Sequence, residues 1–190
     1  MSCLPISPFA VQGGCAPRMG GIRSILWIRS SGVTANAVDF DPANGDYLLD
    51  LYSISGNNAY RVPCRSGSFA STAEVNDDGT TYYRDELTFV PAAGPQSAAA
   101  LLAALTAASD DALVLIAEGY NGEAWVLGLG FSDANGAFAA YPVWLSGGSV
   151  QSGSARGDLT GGQVTVASAH PLPAASAGIY DIEIANPNDF

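Results

Sequence analysis

Residues 71–90 read STAEVNDDGTTYYRDELTFV. Two extended runs flank Asp77-Asp78-Gly79, a sequence with hairpin-turn composition. The second arm, Thr80 to Val90, extends to about twice the usual strand of about 5–6 residues. Strand alternation sets Tyr83, Asp85, Leu87 and Phe89 on one face and Tyr82, Arg84, Glu86, Thr88 and Val90 on the other. A two-stranded ribbon does not hold itself together in water. Something must pack on it, either the rest of the chain or neighbouring copies.

Working outward, the chain reads as mainly β. GIRSILWIRS (21–30) alternates Ile22, Ser24, Leu26 and Ile28 against Arg23, Ile25, Trp27 and Arg29, a strand with an apolar face. Asp41 to Asp46 form a turn, followed by strands in YLLDLYSIS (47–55) and NNAYRVPC (57–64). Residues 113–131 form a second hairpin: Leu113 to Glu118, a Tyr120-Asn121-Gly122 turn suited to positive φ, and a return over Ala124 to Phe131. VTVASAH (164–170) and GIYDIEIAN (178–186) close the chain as strands. Residues 96–108, QSAAALLAALTAA, are predicted as the one helix, on alanine and leucine propensity and a Leu101-Leu102-Leu105 stripe. The organisation expected is a Pro- and Gly-rich arm over 1–20 and a single β domain over 21–190. Within it a Gly/Ser-rich flexible loop is expected at about 146–163. Eight to ten strands and one helix imply a β-sandwich or barrel with a flanking helix.

Composition narrows the function classes. Charged residues make up 13% of 190, about half the usual share of about 25%. So few charges in a chain that is 48% hydrophobic suit a protein whose surface is largely covered in an assembly. Net charge is −11, and the seven basic residues are all arginine, scattered from Arg18 to Arg156. Nucleic-acid binders cluster Lys and Arg to neutralise phosphates; this chain repels a polyanion. Cys3, Cys15 and Cys64 allow at most one internal pair, with Cys3 and Cys15 able to close a loop in the arm or to stay free thiols. His170, the single histidine, stands between Ala169 and Pro171 with no nucleophile beside it. No metal-ligand spacing, cofactor motif or catalytic constellation is present, so no metal, cofactor or enzymatic activity is expected. The opening residues lack a basic n-region, and no apolar run spans a bilayer, so no membrane partner is expected.

The order of features is similar to that of tail tube proteins (major tail proteins) of tailed bacteriophages. The resemblance covers about residues 1–185 and is carried most specifically by CAPRMGGIRSI (15–25) and IAEGYNGEAWVLG (116–128). Its motif residues here are Gly20, Gly21, Ile22, Glu118, Asn121, Gly122 and Trp125. The absence of lysine, the abundance of alanine and the Gly/Ser-rich late loop depart from the pattern. The resemblance implies homo-hexameric rings stacked into a hollow tube in the virion tail, assembled in the host cytoplasm. Long hairpins of adjacent subunits would join there in one β-lined channel. Partners would be further copies and other tail proteins (tape measure, terminator, baseplate or sheath), with DNA in transit and not specifically bound. On this reading Phe69, Tyr82, Tyr83, Leu87 and Phe89 belong to an inter-subunit hairpin. Glu74, Asp77, Asp78, Asp85 and Glu86 are the acidic candidates for the lumen or ring joint, and the second lumen ribbon is 113–131 or the C-terminal strands. The arm and the loop near residue 150 would serve ring stacking. Alternatives are a glycan-binding β-sandwich using Trp27, Trp125 or Trp144 as stacking platforms, a tail terminator or baseplate ring, or the inner tube of an injection particle.

Overall fold

A computed structural model describes residues 20–41, 46–53, 59–92, 99, 102, 103, 106, 113–131, 138–151, 161–173 and 176–181. The strands are β1 (Ile22–Arg29), β2 (Val33–Asp41), β3 (Asp46–Ser53), β4 (Tyr60–Val75), β5 (Thr81–Pro91), β6 (Leu113–Gly119) and β7 (Ala124–Leu127). After them come β8 (Leu129–Phe131), β9 (Phe138–Ala140), β10 (Val143–Gln151), β11 (Gly161–His170) and β12 (Ser176–Asp181). Ten of them form one sheet in the order β10-β11-β5-β4-β1-β6-β7-β12-β3-β2, and β8 pairs with β9 separately. Every pairing is antiparallel except β12 with β3. The sheet is open, ending at β10 and β2, so the described residues form no closed barrel.

Long β4 connects two regions of this sheet. Tyr60 to Pro63 pair with β1, whereas Cys64 to Val75 pair with β5. The changeover falls at Pro63, which has no N–H to donate, and at a register shift between Cys64 and Ser66. The bend lets the sheet double over. Ile25, Leu113, Leu115 and Leu127 from β1, β6 and β7 enclose one core with Leu87, Phe89, Val164 and Val166 from β5 and β11. The opposite face of β1 and β6 carries Leu26, Ile28, Val114 and Ile116, covered by Val33, Leu51, Leu129 and Phe131. Strand β6 is therefore buried at every residue, the physical reason for its apolar run from Leu113 to Ala117.

Both hairpins read from the sequence use one turn geometry. In each, a three-residue loop ends in a glycine of positive φ, Gly79 at +82° and Gly122 at +84°. Gly79 N–H donates to Asn76 C=O at 2.9 Å, and Gly122 N–H to Gly119 C=O at 3.3 Å. Asn121 has no positive φ; its side chain instead accepts the Glu123 N–H at 3.2 Å. Of the helix expected over 96–108, Ala99, Leu102, Ala103 and Thr106 are described, and all four are helical. Leu102 packs on the core beneath Gly148, where a Cβ would lie 2.6 Å from Leu102 Cδ2.

Two sequence expectations change here. The stretch about 146–163 is not simply a flexible loop: Ser146–Gln151 complete β10 and Gly161–Gln163 begin β11. Within it, Gly148 admits Leu102. The 113–131 hairpin cannot supply a channel ribbon, because β6 and most of β7 are buried within the subunit. Cys3, Cys15, Arg18, Arg156 and the arm over 1–19 lie outside the described residues. Cys64 is a buried free thiol, which burial pushes up to about 12.

Candidate functional site

The long ribbon does not stand alone. Val164 to His170 of β11 pair with Phe89 to Tyr83 of β5, and β10 pairs with β11. Two hairpins, β4–β5 and β10–β11, thus lie side by side as four strands. Among the described residues, no strand pairs with the outer edge of β10, and none pairs with β4 beyond Pro63 on the side away from β5. The four strands end in two unlike bare edges. Val75, Trp144 and Val150, exposed by 69%, 36% and 45%, lie on these two edge strands.

The base of the β4–β5 ribbon folds on the subunit's own core. Leu87 and Phe89 are buried there, and Phe69 stacks on Trp125 with ring centroids 5.2 Å apart and 8° between planes. Those three expected inter-subunit residues are therefore intramolecular. Beyond Phe69, Ala70 to Ala73 on β4 are exposed, as are the turn residues 76–80. Tyr82 and Tyr83 are half-buried near this end, and the Tyr82 hydroxyl donates to Glu74 Oε2. That bond raises the Tyr82 phenol from its ordinary value.

The acidic candidates separate. Glu74, Asp77, Asp78 and Glu86 remain accessible, Asp77 and Asp78 at the tip. Asp78 Oδ1 accepts Thr80 N–H at 2.9 Å and Thr80 Oγ1–H at 2.5 Å, which holds its carboxyl below the usual range. Asp85 is wholly buried on the core face, so it cannot line a channel. It shares that face with Leu87 and Phe89, which pack on Ile25, Leu113, Leu115 and Leu127, and β11 flanks it within the sheet. The outward face of the four strands carries Ser66, Ser68, Ala70, Thr72 and Glu74 opposite Val90, Thr88, Glu86, Arg84 and Tyr82. Gln163, Thr165, Ala167 and Ala169 continue it on β11, where Thr88 and Thr165 hydroxyls meet at 3.1 Å. Arg84 pairs with Glu86 at 3.8 Å. On β10, Trp144 and Ser149 lie opposite Ala167 and Gln163, so the face combines small and hydroxyl side chains with an exposed tryptophan and is weakly acidic, rather than carboxylate-dense.

The motif residues converge on a structural joint. Ile22 pairs with Gly119, Gly21 C=O accepts Tyr120 N–H at 3.1 Å, and Gly67 lies against both Ile22 and Phe89. Gly20 is exposed beside this joint. Glu118 is buried and accepts bonds from Ser24 Oγ–H and, at 3.1 Å, from Arg61 Nη2, with Arg23 Nη2 at 3.7 Å. Trp125 forms the stack under Phe69. The residues singled out by resemblance hold β1, β4, β6 and β7 together.

Sequence reasoning missed one pair. Asp85 Oδ2 and His170 Nε2 lie 3.2 Å apart, and both side chains are fully buried. The available signal was strand parity: Asp85 alternates with Leu87 and Phe89, and His170 with Val164 and Val166. Among the described residues no group of three His, Cys, Asp or Glu side chains could hold a metal ion, and no helix is long and apolar enough to cross a membrane. Comparison with family models, curated proteins and solved structures returns no match.

Proposed function

We propose that the chain is a self-assembling tube subunit of the phage tail tube type, a β-sandwich flanked by the helix of residues 96–108. The observation that carries the reading is the four-stranded pair of hairpins with two unlike bare edges. The edge of β4 beyond Pro63 on one copy meets the edge of β10 on the next, completing the ladder between subunits. An unpaired edge of this length is an aggregation hazard unless it is covered. Unlike edges give a head-to-tail contact, and such contacts close into rings when the rotation permits. A closed ring leaves no edge exposed. Val75 and Val150, on the two bare edge strands, are then covered by assembly, consistent with the low charge of the chain.

In such a ring the outward face of the four strands lines the bore. On this wall Arg84 is paired with Glu86, and Glu74, Glu86 and the tip carboxylates outnumber it, so a DNA backbone meets mainly hydroxyls, small side chains and carboxylates. A wall that captures no phosphate releases no counterions and creates no stopping point. The chain then acts as a passive conduit in a virion tail, with other tail proteins at its ends. Negative-stain electron microscopy of the purified protein tests this: hollow polymers of uniform width are expected. Isolated rings would point to a terminator or baseplate ring, and monomers at every concentration would refute the reading.

A further inference from the structure

We infer that Asp85 and His170 form a buried proton-exchange pair, holding one proton between them in mildly acidic solution and thereby keeping the stability of the β5–β11 seam nearly independent of pH. The inference stands whether or not the chain assembles. Asp85 lies opposite Ser168, and His170 opposite Tyr83, so the two side chains meet diagonally across adjacent strands on the core face. Their facing atoms are 3.2 Å apart at zero side-chain exposure. Among the described residues neither the carboxylate oxygens nor the ring nitrogens complete a hydrogen bond of good geometry.

Among the described residues, no further charged group shifts either partner. The Tyr141 ring lies 4.8 Å from the imidazole, and a Cβ on Gly130 would fall 2.5 Å from Nδ1. From β11, Ser168 gives its hydroxyl to Pro142 C=O at 3.0 Å. From β5, Tyr83 shares the face, while Arg84 and Glu86 point to the other. On β4, Ser71 lies opposite Asp85 and is the one group favouring its ionised form. Burial penalises the charged form of each group, and this drives each toward its neutral form. Burial pushes Asp85 up to about 6 and His170 down to about 4.

The consequence is a cancellation. Between about pH 4 and 6, the unfolded chain carries an ionised aspartate and a protonated imidazole. The folded pair carries a protonated aspartate and a neutral imidazole. Each state holds one proton, so the pH slope of stability from this pair is close to zero. The proton changes residence on folding, from nitrogen to oxygen, and none is exchanged with solvent.

Removing either partner exposes the slope of the other. In Asp85→Asn only the depressed His170 remains, and stability is lost as pH falls from about 6.5 to 4, about tenfold in the folding constant per pH unit. In His170→Gln only the raised Asp85 remains, and stability is gained as pH falls from about 6 to 4. Urea unfolding of the full chain between pH 4 and 7 tests this: the double variant is expected to keep the wild-type pH slope, while the single variants depart from it in opposite directions. Because His170 is the sole histidine, 15N NMR of its ring gives a second readout that needs no variant, on the subunit or on assembled material. An imidazole still neutral at pH 5.5 is expected. A ring titrating near 6.5, or an Asp85→Asn variant with the wild-type slope, overturns the inference.

Discussion

Glu118 is a buried carboxylate held by groups that are themselves partly wet, and this sets an unusual order of mutational costs. Its side chain is 4% exposed, whereas those of Arg61 and Arg23 are 42% and 55% exposed. Glu118→Gln removes the buried charge and leaves the arginine heads in reach of water, so nothing is stranded. The expected cost is about 1 kcal/mol, one net hydrogen bond. Arg61→Ala instead leaves an ionised carboxylate in the interior with Ser24 and the looser Arg23. Breaking a fully buried pair costs about 3–5 kcal/mol; with Ser24 and Arg23 among the partners that remain, about 2–3 kcal/mol is expected. Arg23→Ala, at the longer contact, is expected to cost about 0.5 kcal/mol, as for an exposed pair. The Arg23→Ala/Arg61→Ala double variant should exceed the sum of its parts, because each arginine covers for the other. Differential scanning calorimetry reads the order directly. At this chain length 1 kcal/mol shifts Tm by about 2–4 °C, so Arg61→Ala should fall by about 4–12 °C and Glu118→Gln by less than half of that. A Glu118→Gln variant as unstable as the double arginine variant would refute the reasoning.

Other variants probe the ribbon and its edges. Phe69→Ala removes the stack on Trp125 and should cost about 2–3 kcal/mol, less than a fully buried phenylalanine, with a red shift of tryptophan emission. Gly148→Val drives a side chain into Leu102 and should cost about 1–3 kcal/mol in thermal denaturation, with a loss of helical circular dichroism. Val75→Lys and Val150→Lys change exposed positions on the bare edge strands. Each should leave stability within about 0.5 kcal/mol yet prevent polymer formation in sedimentation velocity.

Local chemistry made much of the β architecture readable. The 22–29 alternation, the Asp-Asp-Gly and Asn-Gly turns and the apolar run of β6 each act within one strand or hairpin. Strand β10 was not readable in this way, because Gly147 and Gly148 carry no strand propensity. Pairing with β11 and the nearby Leu102 side chain hold that segment in place. The same non-local pairing explains the site residues. Parity separated Asp85 from Glu86, but only β1, β6 and β7 cover the Asp85 face, and only β11, some eighty residues later in sequence, brings His170 beside it. Glu118 stood out by resemblance, while its role as an internal anchor rests on Ser24 and Arg61, which reach it from two other strands.

The central claim is that neighbouring copies complete the ladder at the outer edges of β4 and β10. Hydrogen–deuterium exchange across a concentration series measures those edges directly. Amides of Cys64–Val75 that point away from β5, and those of Val143–Gln151 that point away from β11, should exchange fast in dilute subunit. They should become protected together as polymers form, while the interior of β6 stays protected throughout. Fast exchange at both edges in material that has already polymerised would contradict the account.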